Sequence, residues 1–390
     1  MDVAIDEWTT KQDIVPPSAL AFLKKVRKSF VKYGDMIVLP STAFPAEVRS
    51  DGPKETSQEF YSVIGIADPV VLQDLYRTIL RHLKATHIAT TRPIPLTSPE
   101  AQDQQDWNRI RAPLNFTSLY GDFGPETCSS PPTEQDFDQA FWTTAKQNGI
   151  VQTWAPRWTM FSRGNISEKA RLLTLPSVVQ AVDEGRRSGR GSCAVDLFVG
   201  IGYFGFSYLK AGVDRVVGWD VNPWSIEGAV RGVEGNGWSV QRFREGDSIQ
   251  GLEDETRFVV FEEDNACAVG RCEEIKRLCG KEALPPVRHV NCGLLPSSRG
   301  CWRTAVEVLS EDLGGWLHVH ENFAVEEIED KAEEVRAEIA RLCQEVVDQR
   351  HGLVRKKRNV VVEDINRLKS YAPGVMHVVI DVHISSYVPD

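Results

Sequence analysis

The residue pattern with the clearest chemical meaning is a glycine-rich turn after an apolar segment. Residues 195–205 read VDLFVGIGYFG, so Gly200 and Gly202 directly follow a predicted strand. Glycines let the backbone turn sharply and approach a ligand, while the amides of the following helix point toward it. This pattern is typical of nucleoside-binding α/β proteins. Taken alone, it equally fits a dinucleotide-binding fingerprint.

Two carboxylates bear on the choice of nucleoside. Asp196 lies inside the strand end, just before Gly200, and Asp220 ends the next predicted strand. A site that must receive a pyrophosphate gains nothing from a negative charge at Asp196, because like charges repel. S-adenosylmethionine has no phosphate and carries a cationic sulfur. The acids therefore favour S-adenosylmethionine as the ligand.

The acids after successive strands can be given roles by position. Asp220 follows the glycine turn by about 20 residues, the position from which a carboxylate binds the ribose hydroxyls. Its alternative role is a helix cap, because Asn222 and Pro223 follow and look like a helix start. Asp247, with Ser248 beside it, is placed to meet the adenine amino group, and its alternative is a surface turn.

A second segment could shape a pocket for the reacting base. Residues 291–298 read NCGLLPSS after a predicted strand beside the first one, at the switch point where ligands bind. The pocket residues are expected to be Leu295, Pro296, Ser297 and Ser298. A capped helix start is the alternative for the serines. His318 and His320 fit a core pair as well as a catalytic histidine, so no catalytic residue is assigned.

Strands and helices alternate from Cys193 onward, which predicts a mostly parallel sheet covered on both faces. The predicted strands are 193–199, 215–220, 241–245, 289–294, 316–321 and 377–384, and the predicted helices are 205–211, 223–235, 301–312 and 325–350. Upstream, the pattern predicts helices at 18–33 and 69–84 and a strand at 36–39.

The fold class predicted is α/β, with a Rossmann-like transferase domain and a smaller α/β N-terminal domain. We place the N-terminal domain at 1–150, with an irregular linker at about 91–133 that is rich in Pro, Ser, Thr, Asp and Gln. The transferase domain covers 151–390. Its acidic, poorly periodic stretch at about 253–281 reads as an insertion.

Composition limits the function classes. No stretch approaches the roughly 20 apolar residues of a membrane span, and the N-terminal residues lack a signal-peptide layout. We therefore expect a cytoplasmic protein without membrane contact. We also expect the protein to be a monomer. The eight cysteines form no Cys-x-x-Cys pair, so no metal site is expected.

The net charge of −10 argues against indiscriminate nucleic-acid binding. Basic residues nevertheless cluster at three places, which fit either local phosphate contacts or solvated faces: Lys24, Lys25, Arg27, Lys28 and Lys32; Arg186, Arg187 and Arg190; and Arg355, Lys356, Lys357 and Arg358.

Five motifs in order resemble one enzyme family. They are WTMFSRGNISEK at 158–169, DLFVGIGYF at 196–204, NCGLLPSS at 291–298, GGWLHVHEN at 314–322 and KSYAPG at 369–374. The chain from about Phe137 onward is similar to tRNA wybutosine-synthesizing protein 2 enzymes. These are tRNA(Phe) 4-demethylwyosine 3-amino-3-carboxypropyltransferases, related to the tRNA guanine-37 N1-methyltransferases.

The resemblance implies that Ser162, Lys169, Asp220 and Asp247 contact S-adenosylmethionine. We also place Arg163, in a turn that could present donors to an anion, with the substrate pocket. The resemblance also implies transfer of the aminocarboxypropyl arm to the modified base at position 37, in the anticodon loop of tRNA(Phe). One departure separates the chain from the methyltransferase branch, since Leu294 stands where that branch has an Asn. A guanine-37 methyltransferase and a non-catalytic tRNA-binding subunit are the competing hypotheses.

Overall fold

The computed structural model of the chain describes residues 1–40, 43, 69–91, 113, 116–351 and 356–389. The chain divides into two units. The first comprises Met1–Ala145 and Thr153–Phe161, and the second comprises Lys146–Gln152 and Ser162–Asp390. Much of the linker predicted at 91–133 lies outside the described residues, as does Arg355 of the C-terminal basic run. Within the described ranges, no helix is long and apolar enough to cross a bilayer.

The first unit packs helices on a small sheet. Its helices are α1 (Asp2–Thr10), α2 (Pro17–Ser29), α3 (Pro69–Leu83) and α4 (Glu134–Gln139). Its sheet has the order β1 (Val31–Tyr33), β2 (Met36–Pro40), β3 (His87–Thr91) and β4 (Thr117–Tyr120). Helix α2 buries Phe22, Leu23 and Val26 on one face at helical spacing. The helix predicted to run to residue 33 stops at Ser29, because β1 pairs antiparallel with β2.

The second unit contains an eight-stranded sheet in the order β14-β15-β12-β11-β7-β8-β10-β9. Its strands are β7 (Cys193–Asp196), β8 (Arg215–Asp220), β9 (Val240–Arg244), β10 (Phe258–Glu262), β11 (Val287–Cys292), β12 (Gly315–Ala324), β14 (Val360–Ala372) and β15 (Val375–Ile384). Strands β7 to β12 pair in parallel, and β15 pairs antiparallel with β12 and β14. The predicted α/β class with a large parallel sheet is confirmed.

Helices cover both faces of this sheet. One face carries α5 (Ile166–Leu172), α6 (Pro176–Ser188), α7 (Gly205–Ala211) and α8 (Pro223–Gly235), and the other carries α9 (Ala268–Leu278), α10 (Trp302–Val308) and α11 (Ile328–His351). The short pairs are β5 (Thr143–Gln147) with β6 (Ile150–Trp154), and β13 (Lys356–Lys357) with β16 (Val388–Pro389). Burial on both faces explains the apolar runs of the central strands.

The stretch at 253–281 is not an insertion. It supplies β10, which lies between β8 and β9 and pairs with both, and it supplies α9 on the sheet face. The acidic residues around Phe258–Phe261 hide a short, fully buried apolar strand from a periodicity analysis. Helix α6 was also missed, although Pro176 opens it and Gly189 ends it in the left-handed conformation.

Phe261 offers a test of this correction. Its ring is buried and stacks between Trp219 and Phe243, with centroids 5.0 and 5.5 Å away. Phe261→Ala should therefore lower the free energy of unfolding by about 3–5 kcal/mol, measured by urea denaturation. The matched control Asp254→Ala removes an exposed side chain of the same stretch and should change it by less than about 0.5 kcal/mol. If both variants change the free energy of unfolding by the same small amount, the stretch would instead be an insertion.

Candidate functional site

The glycine turn follows β7 and needs its glycines. Gly200 and Gly202 have φ angles of +53° and +87°, in the left-handed region that other residues rarely adopt. A Cβ atom on Gly202 would also lie 2.2 Å from the Phe206 ring. The sequence interpretation of a tight turn leading into helix α7 therefore agrees with the backbone geometry.

Asp196 and Asp220 flank this turn at the ends of neighbouring strands. Asp196 Oδ1 accepts hydrogen bonds from Phe198 N (3.3 Å) and Asn291 Nδ2 (3.2 Å). Asp220 Oδ2 accepts from Gly200 N at 2.9 Å, which ties the turn to β8. Burial raises the pKa of Asp196 to about 7 and that of Asp220 to about 6. Two desolvated carboxylates thus lie beside the same glycine turn.

The structure also decides which residue caps α8. Asn222 is the N-cap, and its side chain accepts from Trp224 N at 3.0 Å. Asp220 instead accepts from Asn222 N at 2.8 Å, which leaves the helix start to Asn222. The alternative reading of Asp220 as the cap is therefore not needed.

Asp247 and Ser248 lie after the edge strand of the sheet, away from the glycine turn. They follow β9, the edge strand, and β10 separates β9 from β8. Asp247 is exposed and accepts from Arg244 N at 2.7 Å, while Ser248 Oγ accepts from Gln250 N at 3.3 Å. These are bonds of a local surface turn, which was the alternative for Asp247.

The end of β10 lies next to Asp220, where the sequence interpretation expects Asp247. Glu262 of β10 pairs with Asp220 in the sheet register, and Asp264 and Asn265 follow it. Asn265 Nδ2 donates to Leu197 O at 2.9 Å, so this loop reaches the glycine turn. Sequence analysis missed these residues because it missed β10. The run FVVFEEDN at 258–265 was the available signal.

The segment ahead of the sheet also reaches the glycine turn, through Tyr203. Ser162 N donates to Tyr203 Oη at 3.0 Å, and the ammonium of Lys169 lies 5.5 Å from the centre of the Tyr203 ring. Lys169 donates to Gln152 Oε1 at 2.9 Å, and burial lowers its pKa to about 8. Ser162 and Lys169 are thus brought close to Gly200 and Gly202.

Arg163 opens a 3-10 turn, Arg163–Asn165, and its side chain is exposed. The ammonium of Lys369 lies over this turn, 2.2 Å from where a Cβ atom on Gly164 would be. Two of the sequence motifs, 158–169 and 369–374, therefore meet here. A side chain at position 164 would therefore have to displace the end of the Lys369 side chain.

The loop after β11 is held by Glu321, which sequence analysis did not identify. Glu321 Oε1 accepts from Ser297 Oγ (3.0 Å), Ser298 N (2.8 Å) and Ser298 Oγ (3.1 Å). Ser298 is buried, whereas Pro296 and Ser297 are exposed and Leu295 is intermediate. Ser297 Oγ also accepts from Arg299 N at 3.2 Å, at the start of the 3-10 turn Arg299–Cys301 that leads into α10. Ser297 thus combines the helix-start role with a role in the loop, and Ser298 Oγ accepts from Trp302 Nε1 at 3.0 Å.

The two histidines of β12 are core residues. His318 and His320 are almost fully buried, and each hydrogen-bonds to another buried side chain, Asp381 at 2.7 Å and His377 at 3.0 Å respectively. Burial lowers the pKa of His320 to about 3. A side chain so hard to protonate at neutral pH supports the core reading over catalysis.

Known proteins similar to this chain fall in one group. A Schizosaccharomyces pombe tRNA wybutosine-synthesizing protein 2 is 35% identical over 357 residues, which cover 92% of this chain and 72% of that protein. The Saccharomyces cerevisiae protein of the same name is 32% identical, over 77% of this chain and 60% of that protein. No protein-family model matches the chain.

Solved structures share the fold. Pyrococcus horikoshii TYW2 in complex with MeSAdo superposes with a TM-score of 0.57 at 16% identity, over 99% of both chains. A Methanocaldococcus jannaschii tRNA m1G37 methyltransferase gives 0.51 at 15% identity, over 95% of this chain and 79% of that one. With the extent and identity of the Schizosaccharomyces pombe match, the chain belongs to the tRNA wybutosine-synthesizing protein 2 family.

Proposed function

We propose that this chain transfers the 3-amino-3-carboxypropyl group of S-adenosylmethionine to 4-demethylwyosine at position 37 of tRNA(Phe). Membership of a family named for wybutosine synthesis supports the substrate. The observation that carries the choice of cofactor is the pair of carboxylates beside the glycine turn, the buried Asp196 and the half-buried Asp220. A phosphate-bearing nucleotide would meet repulsion there, whereas a cation is stabilised.

The residues present fit a cationic nucleoside. Asp196 Oδ2 is buried and has no hydrogen-bond partner among the described residues, a costly state that a positively charged ligand relieves. S-adenosylmethionine, when bound, supplies a sulfonium with more than one electrophilic carbon. We assign Asp220 to the ribose hydroxyls, and Ser162 and Lys169 to the methionine end. Gly200 and Gly202 let the backbone approach the ligand closely.

Orientation by the chain decides which carbon reacts. Since methyl and aminocarboxypropyl transfer both attack a carbon bonded to the same sulfur, positioning selects the product. We assign Leu295, Pro296, Ser297 and Ser298, with Arg163, to the pocket of the base. The three bonds from the serines to Glu321 keep that loop in place. No residue is assigned as a general base.

Product analysis tests the proposed reaction. The protein is incubated with S-adenosylmethionine and tRNA(Phe) that lacks the aminocarboxypropyl group. We expect release of methylthioadenosine, because the transferred arm leaves the thioether behind. Release of S-adenosylhomocysteine would instead identify a methyltransferase. Cofactor binding without any turnover would identify a non-catalytic tRNA-binding subunit.

Substitution of the strand-end acids tests the cofactor site. Asp220→Ala should weaken S-adenosylmethionine binding by about 2 kcal/mol, roughly 30-fold in Kd by calorimetry, because charged hydrogen bonds to ribose are lost. We place Asp264, not Asp247, near the adenine amino group. Asp264→Ala should weaken binding in the same direction, and the matched control Asp247→Ala should leave it unchanged. If Asp247→Ala weakens binding and Asp264→Ala does not, Asp247 is the residue near the adenine amino group.

We further propose that α2 contacts the phosphates of the tRNA. Lys24, Lys25 and Lys28 are exposed on one stretch of this helix. Arg27 forms ion pairs with Asp2 and Asp6. Selection of the anticodon loop, a monomeric state and a cytoplasmic location stay predictions.

Replacing Lys24, Lys25 and Lys28 with Gln should weaken tRNA binding and flatten its salt dependence by about 2–3 units of slope, because each phosphate contact releases counterions. Filter binding across a salt series measures this. The matched control replaces Lys331, Arg336 and Arg341, which each pair with a glutamate on α11. An unchanged slope in the α2 variant would mean that α2 faces away from the RNA.

A further inference from the structure

A buried ionic network is built on α5, the short helix that also carries Lys169. Arg171 donates to Glu168 through Nε (2.9 Å) and Nη2 (2.7 Å). It also donates to Asp381 of β15 through Nη1 (2.6 Å) and Nη2 (3.1 Å). The guanidinium thus binds two carboxylates in two-bond contacts. Of the two, Glu168 belongs to the helix itself and Asp381 to the sheet.

The network continues into the sheet and to its edge. Asp381 Oδ1 accepts from His318 Nδ1 at 2.7 Å, and His318 Nε2 lies 3.0 Å from His289 Nδ1. On the other side, Asn366 of the edge strand β14 donates to Glu168 Oε2 at 2.5 Å. Residues from β11, β12, β14 and β15 therefore converge on one helix.

Burial makes the geometry of this network strict. Glu168, Asp381 and His318 are almost fully buried, so the loss of a partner would leave a buried charge or polar atom unpaired. Burial opposes ionisation of Asp381, yet His318 and Arg171 hold the pKa of that carboxyl well below its ordinary value. Only a planar guanidinium makes both two-bond contacts at once, so lysine cannot replace Arg171.

Helix α5 needs such an anchor. It has seven residues, and isolated helices of this length are not stable in water. Besides the network, Ser207 Oγ of α7 donates to Lys169 O at 3.0 Å. Lys169 stands between Glu168 and Arg171 in the chain, so the rotation of the helix sets where its ammonium lies relative to Tyr203.

We propose that Arg171 and Asp381 are positioning residues for the cofactor site, which act by fixing α5 so that Lys169 meets the glycine turn. The assignment rests on the proposed function, because it takes Lys169 as a residue that binds S-adenosylmethionine. Neither Arg171 nor Asp381 has to touch the ligand. Their effect on cofactor affinity must therefore pass through Lys169.

A double-mutant cycle tests this dependence. Kd for S-adenosylmethionine is measured by calorimetry for the parent chain, Arg171→Lys, Lys169→Ala and the double variant. Arg171→Lys should weaken binding about 10-fold in the parent but less than about 2-fold in the Lys169→Ala background, because coupled residues are not additive. Equal losses in both backgrounds would overturn the proposal, as would unchanged affinity in Arg171→Lys.

Arg288→Lys is the matched control. Arg288 is also buried and pairs with Glu184 at 2.6 Å, but it takes no part in the α5 network. The variant Arg288→Lys should lower the urea midpoint of unfolding without changing the affinity for S-adenosylmethionine. If Arg171→Lys does not fold, the same cycle is measured with the milder variant Asn366→Ala. Asn366→Ala should weaken cofactor binding by less than Arg171→Lys does, and it should have no effect in the Lys169→Ala background. A parent chain that does not bind S-adenosylmethionine would refute the proposed function and not this network.

Discussion

The desolvation of two carboxylates at neighbouring strand ends is the constraint around which the second unit is arranged. Asp196 and Asp220 are held beside the glycine turn by backbone amides and by Asn291. Burial raises the pKa of both, so holding both ionised at neutral pH has an electrostatic cost. A cation beside them would lower that cost. We therefore propose that the site selects its ligand by charge as well as by shape.

The sheet around this centre was largely predictable from the sequence. Strands β7, β8 and β12 are apolar runs separated by helices with clear boundaries, and Gly200 marks the turn. β10 was missed because acidic neighbours mask its short apolar run. β14 was missed because an edge strand with a half-exposed face shows no clean alternation. Without β10, the proposed adenine contact of Asp264 could not be recognised from the sequence.

Contacts between distant parts of the chain could not be predicted from the sequence. Arg171 and Asp381 are 210 positions apart, and nothing local in either segment indicates the pairing. Glu321 likewise gave no sign that it would hold Ser297 and Ser298. The resemblance to a known family points to Ser162 and Lys169, but not to the groups that hold the helix of Lys169. Local patterns identify ligand-binding turns, whereas the supporting ion pairs depend on tertiary packing.

The hydrogen bond from Gly200 N to Asp220 joins the turn to strand β8 through the protein's own groups. A turn held in this way has little backbone entropy left to lose when the proposed nucleoside binds. In the proposed reaction the larger conformational adjustment then falls to the RNA, whose base leaves its stack to reach the proposed pocket.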